Sequence, residues 1–290
     1  MERPRVTPPM PSAAVTPLRT LGDPGLPNAP WPDYPAEYGL TRDDVPALVG
    51  LALDETPYVQ DDPAVWGAVH AWRALAQLGA PEAAEPLARL LARQAGPDED
   101  DDWAISELPR ALAMLGPPAF APVRRLFDDA ALGFLVRGCA ADALGALAAR
   151  APEVRAECVD ALVAVLGRED TDSDVAASAV AGLIEARAVE AAPAIEAAFA
   201  ADRVEPSFNG DWEDVQIALG LLEERRTPRP RYVHPGLEAV RAYDEARSAY
   251  NDLPPNPDVG TAARRAQARA KTKAKRKAAV KARRANRRKR

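Results

Sequence analysis

Apolar side chains in the middle of the chain recur every three or four positions, as in Val65, Val69, Trp72, Leu75 and Leu78. That spacing lines one face of a helix and leaves the other polar. The pattern stops at Gly79, a residue suited to the left-handed turn that ends a helix. It restarts around Pro86, whose missing N–H costs little in a first helical turn, and continues through Leu87, Leu90 and Leu91. The same grammar returns from Leu112, with Gly116, Pro122, Val123, Leu126 and Phe127, and from Leu183, with Pro193, Ile195 and Phe199. A further copy from Leu144 runs into a longer helix ending near Leu166. The block starts are 37, 32 and 39 residues apart. Self-similarity at such a period marks stacked helix pairs, because one pair alone cannot bury both of its faces.

Acidic residues stand where these helices begin: Asp62 before Pro63, Asp101 and Asp102 before Trp103, and Asp174 before Val175. Each can accept from free N–H groups and suits the positive end of the helix dipole. Asp43 or Asp44 is expected to cap an earlier helix containing Val45, Leu48, Val49 and Ala52. A last helix is expected from about Asp211 to Glu224, with Asp211 and Asp214 as an acidic variant of the capping box, closing the stack. Two departures stand out. The third copy lacks the second-helix proline. Arg187 occupies the place of a glycine, predicting a longer turn between the helices of the fourth pair.

The fold expected is all-α: a right-handed α-solenoid of about four helix pairs between Pro63 and Arg203, within a body spanning residues 38–225. Residues 1–37 are proline-rich, lack periodicity and are expected to be disordered, except that Trp31, Tyr34 and Tyr38 should dock on the first helix. Residues 226–260 read as a proline-rich linker broken by a short helix from about Pro235 to Tyr250. Residues 261–290 form a basic tail.

The run V-R-G-C-A-A-D-A-L-G-A-L, from Val136 to Leu147, resembles the first helix of the HEAT and phycobilisome-lyase HEAT-like repeat family. Pro109, inside the helix from Asp102 to Leu115, resembles the proline that kinks first helices in that family. The resemblance covers roughly residues 60 to 220. It implies an armadillo-type superhelix with capping helices, whose second helices line a concave face. It also implies a spread of functions, with scaffolds, adaptors and chaperones beside a few bilin lyases; a lyase-like enzyme is the remote alternative.

Charge divides the chain more sharply than its net value of −6 suggests. Of 37 Lys and Arg, 15 lie after Ala262 in a stretch without Asp or Glu; the remainder sets 22 cations against all 43 acids, a balance of −21. Every lysine is in that tail. The cations are Arg264, Arg265, Arg269, Lys271, Lys273, Lys275, Arg276, Lys277, Lys281, Arg283, Arg284, Arg287, Arg288, Lys289 and Arg290. Such a segment is read as a tether for nucleic acid, the ribosome or another polyanion, through phosphate charge. With no aromatic side chain it cannot stack on bases, so recognition should be independent of sequence. A tail that aids solubility or folds back on the acidic body is the competing reading.

Candidate chemistry is sparse. The acidic run Asp98–Asp102 lacks the glycine and terminal glutamate of a calcium loop. His70 and His234 stand alone, and Cys139 and Cys158 are expected on paired helices as small core residues. Nothing matches a nucleophile elbow or a phosphate-binding glycine loop. No apolar run reaches 18 residues, so no membrane span is expected, and no signal peptide is read at the N-terminus. The expectation is a monomeric cytoplasmic scaffold or adaptor without catalytic residue, cofactor or metal. Its partner, a protein not identifiable from the sequence, would sit on the concave face among Glu82, Glu85, Arg89, Arg93, Arg124, Arg125, Arg155 and Glu196. Trp66 and Trp72 suit the core. Trp103 and Trp212 suit core or inter-repeat packing too, but each follows an aspartate at a helix start, which makes them candidates for partly exposed binding anchors at one edge.

Overall fold

Helices α1 (Tyr34–Tyr38) and α2 (Val45–Ala52) precede four helix pairs: α3 (Gly67–Gln77) with α4 (Ala84–Gln94), α5 (Asp102–Met114) with α6 (Phe120–Asp128), α7 (Phe134–Arg150) with α8 (Arg155–Leu166), and α9 (Ser173–Glu185) with α10 (Ala192–Ala200). Helices α11 (Pro206–Asn209) and α12 (Trp212–Ala218) follow. The computed structural model describes residues 13–25, 30–54, 62–95 and 102–230, and among these there is no strand. The expected linker beyond Pro230 and the basic tail lie outside the described residues.

The first helices α3, α5, α7 and α9 pack on one another in chain order, and so do the second helices α4, α6, α8 and α10. Each second helix also packs on the first helix that follows it: α4 on α5, α6 on α7, α8 on α9. One hydrophobic core therefore runs unbroken from Val15 to Leu219. Helix α7 lies in its middle and is buried round most of its circumference, from Val136 to Ala148. Its closest neighbour is α9. A Cβ placed on Gly145 would stand 2.5 Å from the Cα of Gly182, so glycine at both positions lets the two backbones touch. Pro109 lies inside α5, which continues through it. A proline there leaves the carbonyl of Ile105 without its helical donor, and the Cys139 thiol of α7 approaches that oxygen at 3.9 Å.

The turns within the pairs show what each residue choice does. After α3, Gly79 takes φ +58° and the Ala80 N–H bonds to Leu75 O at 3.2 Å, a Schellman closure. After α5, Pro117 follows Gly116 and has no N–H to make that bond. Gly116 instead adopts φ +76° and ψ −154°. After α9, Arg187 takes the left-handed place itself, at φ +50°, and the Ala188 N–H bonds to Leu183 O at 3.0 Å. The turn expected to be longer has the same length as the one at Gly79, because arginine accepts the conformation at some cost rather than adding a residue. A proline opens the 3₁₀ turn ahead of α4, α6 and α8 at Pro81, Pro117 and Pro152, so the third pair retains this stop signal although it lacks the later proline.

Several caps differ from expectation. Asp44 stands at the N-cap of α2 but makes no side-chain capping bond to that helix; it closes a capping box with Thr41, which opens the preceding turn. Asp172 caps α9, in place of Asp174. Asp62 and the Asp211–Asp214 box hold as read. Helix α12 ends at Ala218 rather than Glu224, because Gly220 turns the chain at φ +75° and the Leu221 N–H closes on Gln216 O at 2.8 Å.

Both ends of the body extend further than the hydrophobic pattern indicates. Within the segment read as disordered over 1–37, a 3₁₀ turn at Thr16–Thr20 and helix α1 are formed, with Val15, Leu18 and Tyr34 buried. Apolar side chains too widely spaced to form a helical stripe still find the α3 surface. At the other end, Arg225 grips Asp211 with two bonds of 2.7 Å and meets Asp214 at 2.8 Å. Glu213 accepts from the N–H groups of Arg226 and Thr227 at 3.1 Å each. Residues 225–230, read partly as linker, are thus fastened to the start of α12.

Candidate functional site

The second-helix surface of α4 and α6 brings together most of the arginines singled out in the sequence. Arg89 and Arg93 lie one turn apart on α4, both exposed, and flank a hollow of about 230 Å³ lined by Leu53, Pro86 and Leu90. Arg125 of α6 is ion-paired with Glu85 of α4, which also accepts from Arg89 Nε at 2.9 Å. These two guanidinium groups hold the Glu85 carboxyl below its usual range although nearby atoms partly desolvate it. Arg124 turns along its own helix to Asp128 at 2.5 Å. Farther along the same layer the exposed side chains are acidic: Glu153, Glu157 and Asp160 by α8, and Glu196 on α10. The second-helix surface is therefore basic over the first two pairs and acidic over the last two.

A repeated ion pair rivets the turn end of this layer. Arg42 donates to Leu78 O and Gly79 O at the end of α3 and to Glu82 at 3.1 Å. Arg155 donates to Ala186 O at the end of α9 and to Glu190 at 2.5 Å. Glu82 and Glu190 occupy the same place in their turns, one residue after Pro81 and Val189. Each arginine neutralises the negative end of a first helix and ties it to its neighbour. The buried Arg137 acts similarly for α6, donating from Nε to Phe127 O at 3.0 Å.

Trp103 and Trp212 are half-buried, each leaning on another aromatic. Trp103 packs edge-on against Trp66, 5.4 Å between centroids, and Trp212 lies against Phe199. Both belong to the rim of the core, because a tryptophan in the first turn after a cap leans back over the preceding helix end. The tail cations from Arg264 to Arg290 lie outside the described residues.

Sequence reading missed the most connected polar cluster. Arg73 and Glu107, on the apolar stripes of α3 and α5, are 1% and 0% exposed and form a two-bond ion pair of 2.8 and 2.5 Å. Trp72 Nε1 donates to Glu107 at 3.1 Å. The Arg73 guanidinium lies between the rings of Trp31 and Trp103, at 5.4 and 5.5 Å. His70, also buried, donates from Nε2 to Gly22 O at 2.9 Å, which leaves Nδ1 to accept the Tyr34 hydroxyl at 2.7 Å. Burial lowers the His70 pKa from its ordinary value, the Gly22 bond opposing it. The signal for this cluster was present: charges of opposite sign at stripe positions of successive first helices.

Other titratable groups carry no comparable arrangement. Crowding by the surrounding helices, then the charge of Glu185 on the neighbouring first helix, pushes the Asp142 carboxyl upward, an effect that solvent screens because the side chain is exposed. Burial raises both cysteine thiols to about 12. Among the described residues no group of three or more His, Cys, Asp or Glu is arranged to hold a metal ion, and no helix is long and apolar enough to cross a membrane. Comparison of the chain with family models, curated proteins and solved structures finds no match.

Proposed function

We propose that the body is a HEAT-like α-solenoid acting as a non-enzymatic, cytoplasmic protein-interaction scaffold, and that its partner seats on the second-helix surface of α4 and α6. The solenoid reading is supported by two helix layers that each pack in chain order. The partner surface is supported by the hollow between Arg89 and Arg93, joined by Arg125 through Glu85. An apolar floor with cations at its edge suits a large apolar side chain flanked by carboxylates, since one end is desolvated and the other charge-paired. The test is affinity capture by the full chain, with nuclease present. A protein partner retained there and lost on double substitution Arg89→Glu/Arg93→Glu supports the reading; a partner indifferent to both arginines refutes it.

A second reading makes the tail primary, giving a nucleic-acid- or ribosome-associated factor, and rests on 15 cations without one acid after Ala262. If some 8 of them meet phosphates, affinity for a duplex should fall by about three to five decades between 50 and 200 mM salt. Capture that disappears with nuclease but survives the arginine reversals would favour this reading.

A further inference from the structure

One face of α3 tracks the backbone of the N-terminal segment position by position. Gly67 lies against the backbone of Arg19, its absent Cβ leaving 3.6 Å to the Arg19 Cα. His70 donates to Gly22 O, and Arg73 donates from its NH1 nitrogen to Pro24 O at 3.1 Å. Gln77 donates to Pro32 O at 2.7 Å and accepts from the Tyr34 N–H at 2.9 Å. Residues 67, 70, 73 or 74, and 77 share one helix face, and their partners ascend in the same order. Carbonyls, which every sequence possesses, are thus taken at Gly22, Pro24 and Pro32, the last of them within the stretch from Pro30 onward. Proline suits such a strand, because it needs no donor of its own and pre-sets an extended backbone. Two side chains supply selectivity. Trp31 lies under the guanidinium groups of Arg110 and Arg73, at 4.3 and 5.4 Å, and Tyr34 reaches His70. Glu107 fixes Arg73 in place, so the donors are set before anything binds. The Trp31 Nε1 is buried without a hydrogen-bond partner among the described residues, so the resident segment is an imperfect fit.

We infer that this α3–α5 face is a binding site for a proline-rich peptide of another protein with Trp-x-x-Tyr spacing, extended up to the tyrosine and helical from it, occupied in cis by Pro30–Tyr38, whose contacts come from Gln77, His70, Arg73 and Arg110. The site lies on the first helices and does not depend on the second-helix reading. A resident occupant weakens a competitor by the fraction of time the site is open, so loosening it should strengthen binding in trans. The probe is a fluorescein-labelled synthetic peptide of residues 30–38, titrated by fluorescence polarisation into the full chain. Trp31→Ala should bind it at least tenfold more tightly than the wild type, and Trp31→Ala/Gln77→Ala should lose that gain. Far-UV circular dichroism and the melting transition establish that each variant is folded. If Trp31→Ala is not, Trp31→Leu, which keeps apolar bulk but loses the cation–π contact, enters the same titration. Equal binding by wild type and loosened variant, binding by neither, or dimers of the loosened variant in place of peptide uptake would overturn the inference.

Discussion

Arg187 holds φ at +50° in a turn that glycine makes without strain at Gly79, and its side chain is exposed. Arg187→Gly should therefore stabilise the fold by about 0.5–1 kcal/mol, read as a higher urea midpoint with unchanged slope. Glu107 is the opposite case. Its removal strands the Arg73 charge in the core, so Glu107→Ala should cost about 3–5 kcal/mol in the same measurement. His70 gives a pH signature. Its imidazole binds a proton less readily in the folded chain than in the unfolded one, whose value is near 6.5. Stability from this group is complete above 6.5 and is lost as pH falls below it. Between pH 7.5 and 5 the raised Asp142 carboxyl adds stability as pH falls while His70 removes it, so the His70 contribution is read as a difference: relative to its value at pH 7.5, the urea midpoint of the wild type should fall further, or rise less, than that of His70→Gln.

Helices carry the next level of argument. The α7–α9 contact depends on a pair of glycines, and the Cβ of Gly145→Ala would meet the backbone of Gly182 rather than a flexible side chain. The helices must part, at about 1–3 kcal/mol for an overpacked core, and thermal unfolding should register it. The same substitution at Gly50, where a Cβ meets nothing within 4 Å, should raise stability slightly by improving helix propensity. The two cysteines sit on α7 and α8, buried and with thiols pushed to about 12. The native chain should react with a thiol reagent only as fast as it unfolds.

Across the body, the buried ion pair belongs to one layer and the exposed charges to both. Arg73 meets Glu107 between first helices, while exposed charges lie on first helices at Arg110, Arg150 and Glu185 and on second helices, where arginines gather toward the N-terminal end and carboxylates toward the other. Exposed pairs such as Arg125–Glu85 contribute little stability individually, roughly 0–1 kcal/mol. Reversal of Arg89 and Arg93 should accordingly leave the melting temperature within about 2 °C while changing partner capture. That separation of stability from binding is what a surface built for association would display.

Local physics made much of this protein legible in the chain. Helix stripes from Val65 onward, glycine stops, proline starts and the Asp62 and Asp211 caps are decided by neighbours within four or five residues, and they yield four helix pairs at the right places. Interactions between distant residues were a different matter. Nothing near Val15 or Leu18 in sequence announces that they will be buried, whereas Tyr34 was legible as an aromatic in a polar, proline-rich stretch; its partner His70 lies on α3, dozens of residues away. Arg73 and Glu107 look misplaced until α3 and α5 pack and each charge finds the other. Trp103 and Trp212 follow caps as exposed anchors would, yet aromatic area is lost to the nearest apolar surface, and only packing supplies that surface. Sequence by itself determined the four helix pairs and the charge along the chain. Tertiary structure alone decided which polar groups are inside, how far the body extends at its ends, and that the N-terminal segment lies along α3, because burial is a property of assembled faces and not of the residues that compose them.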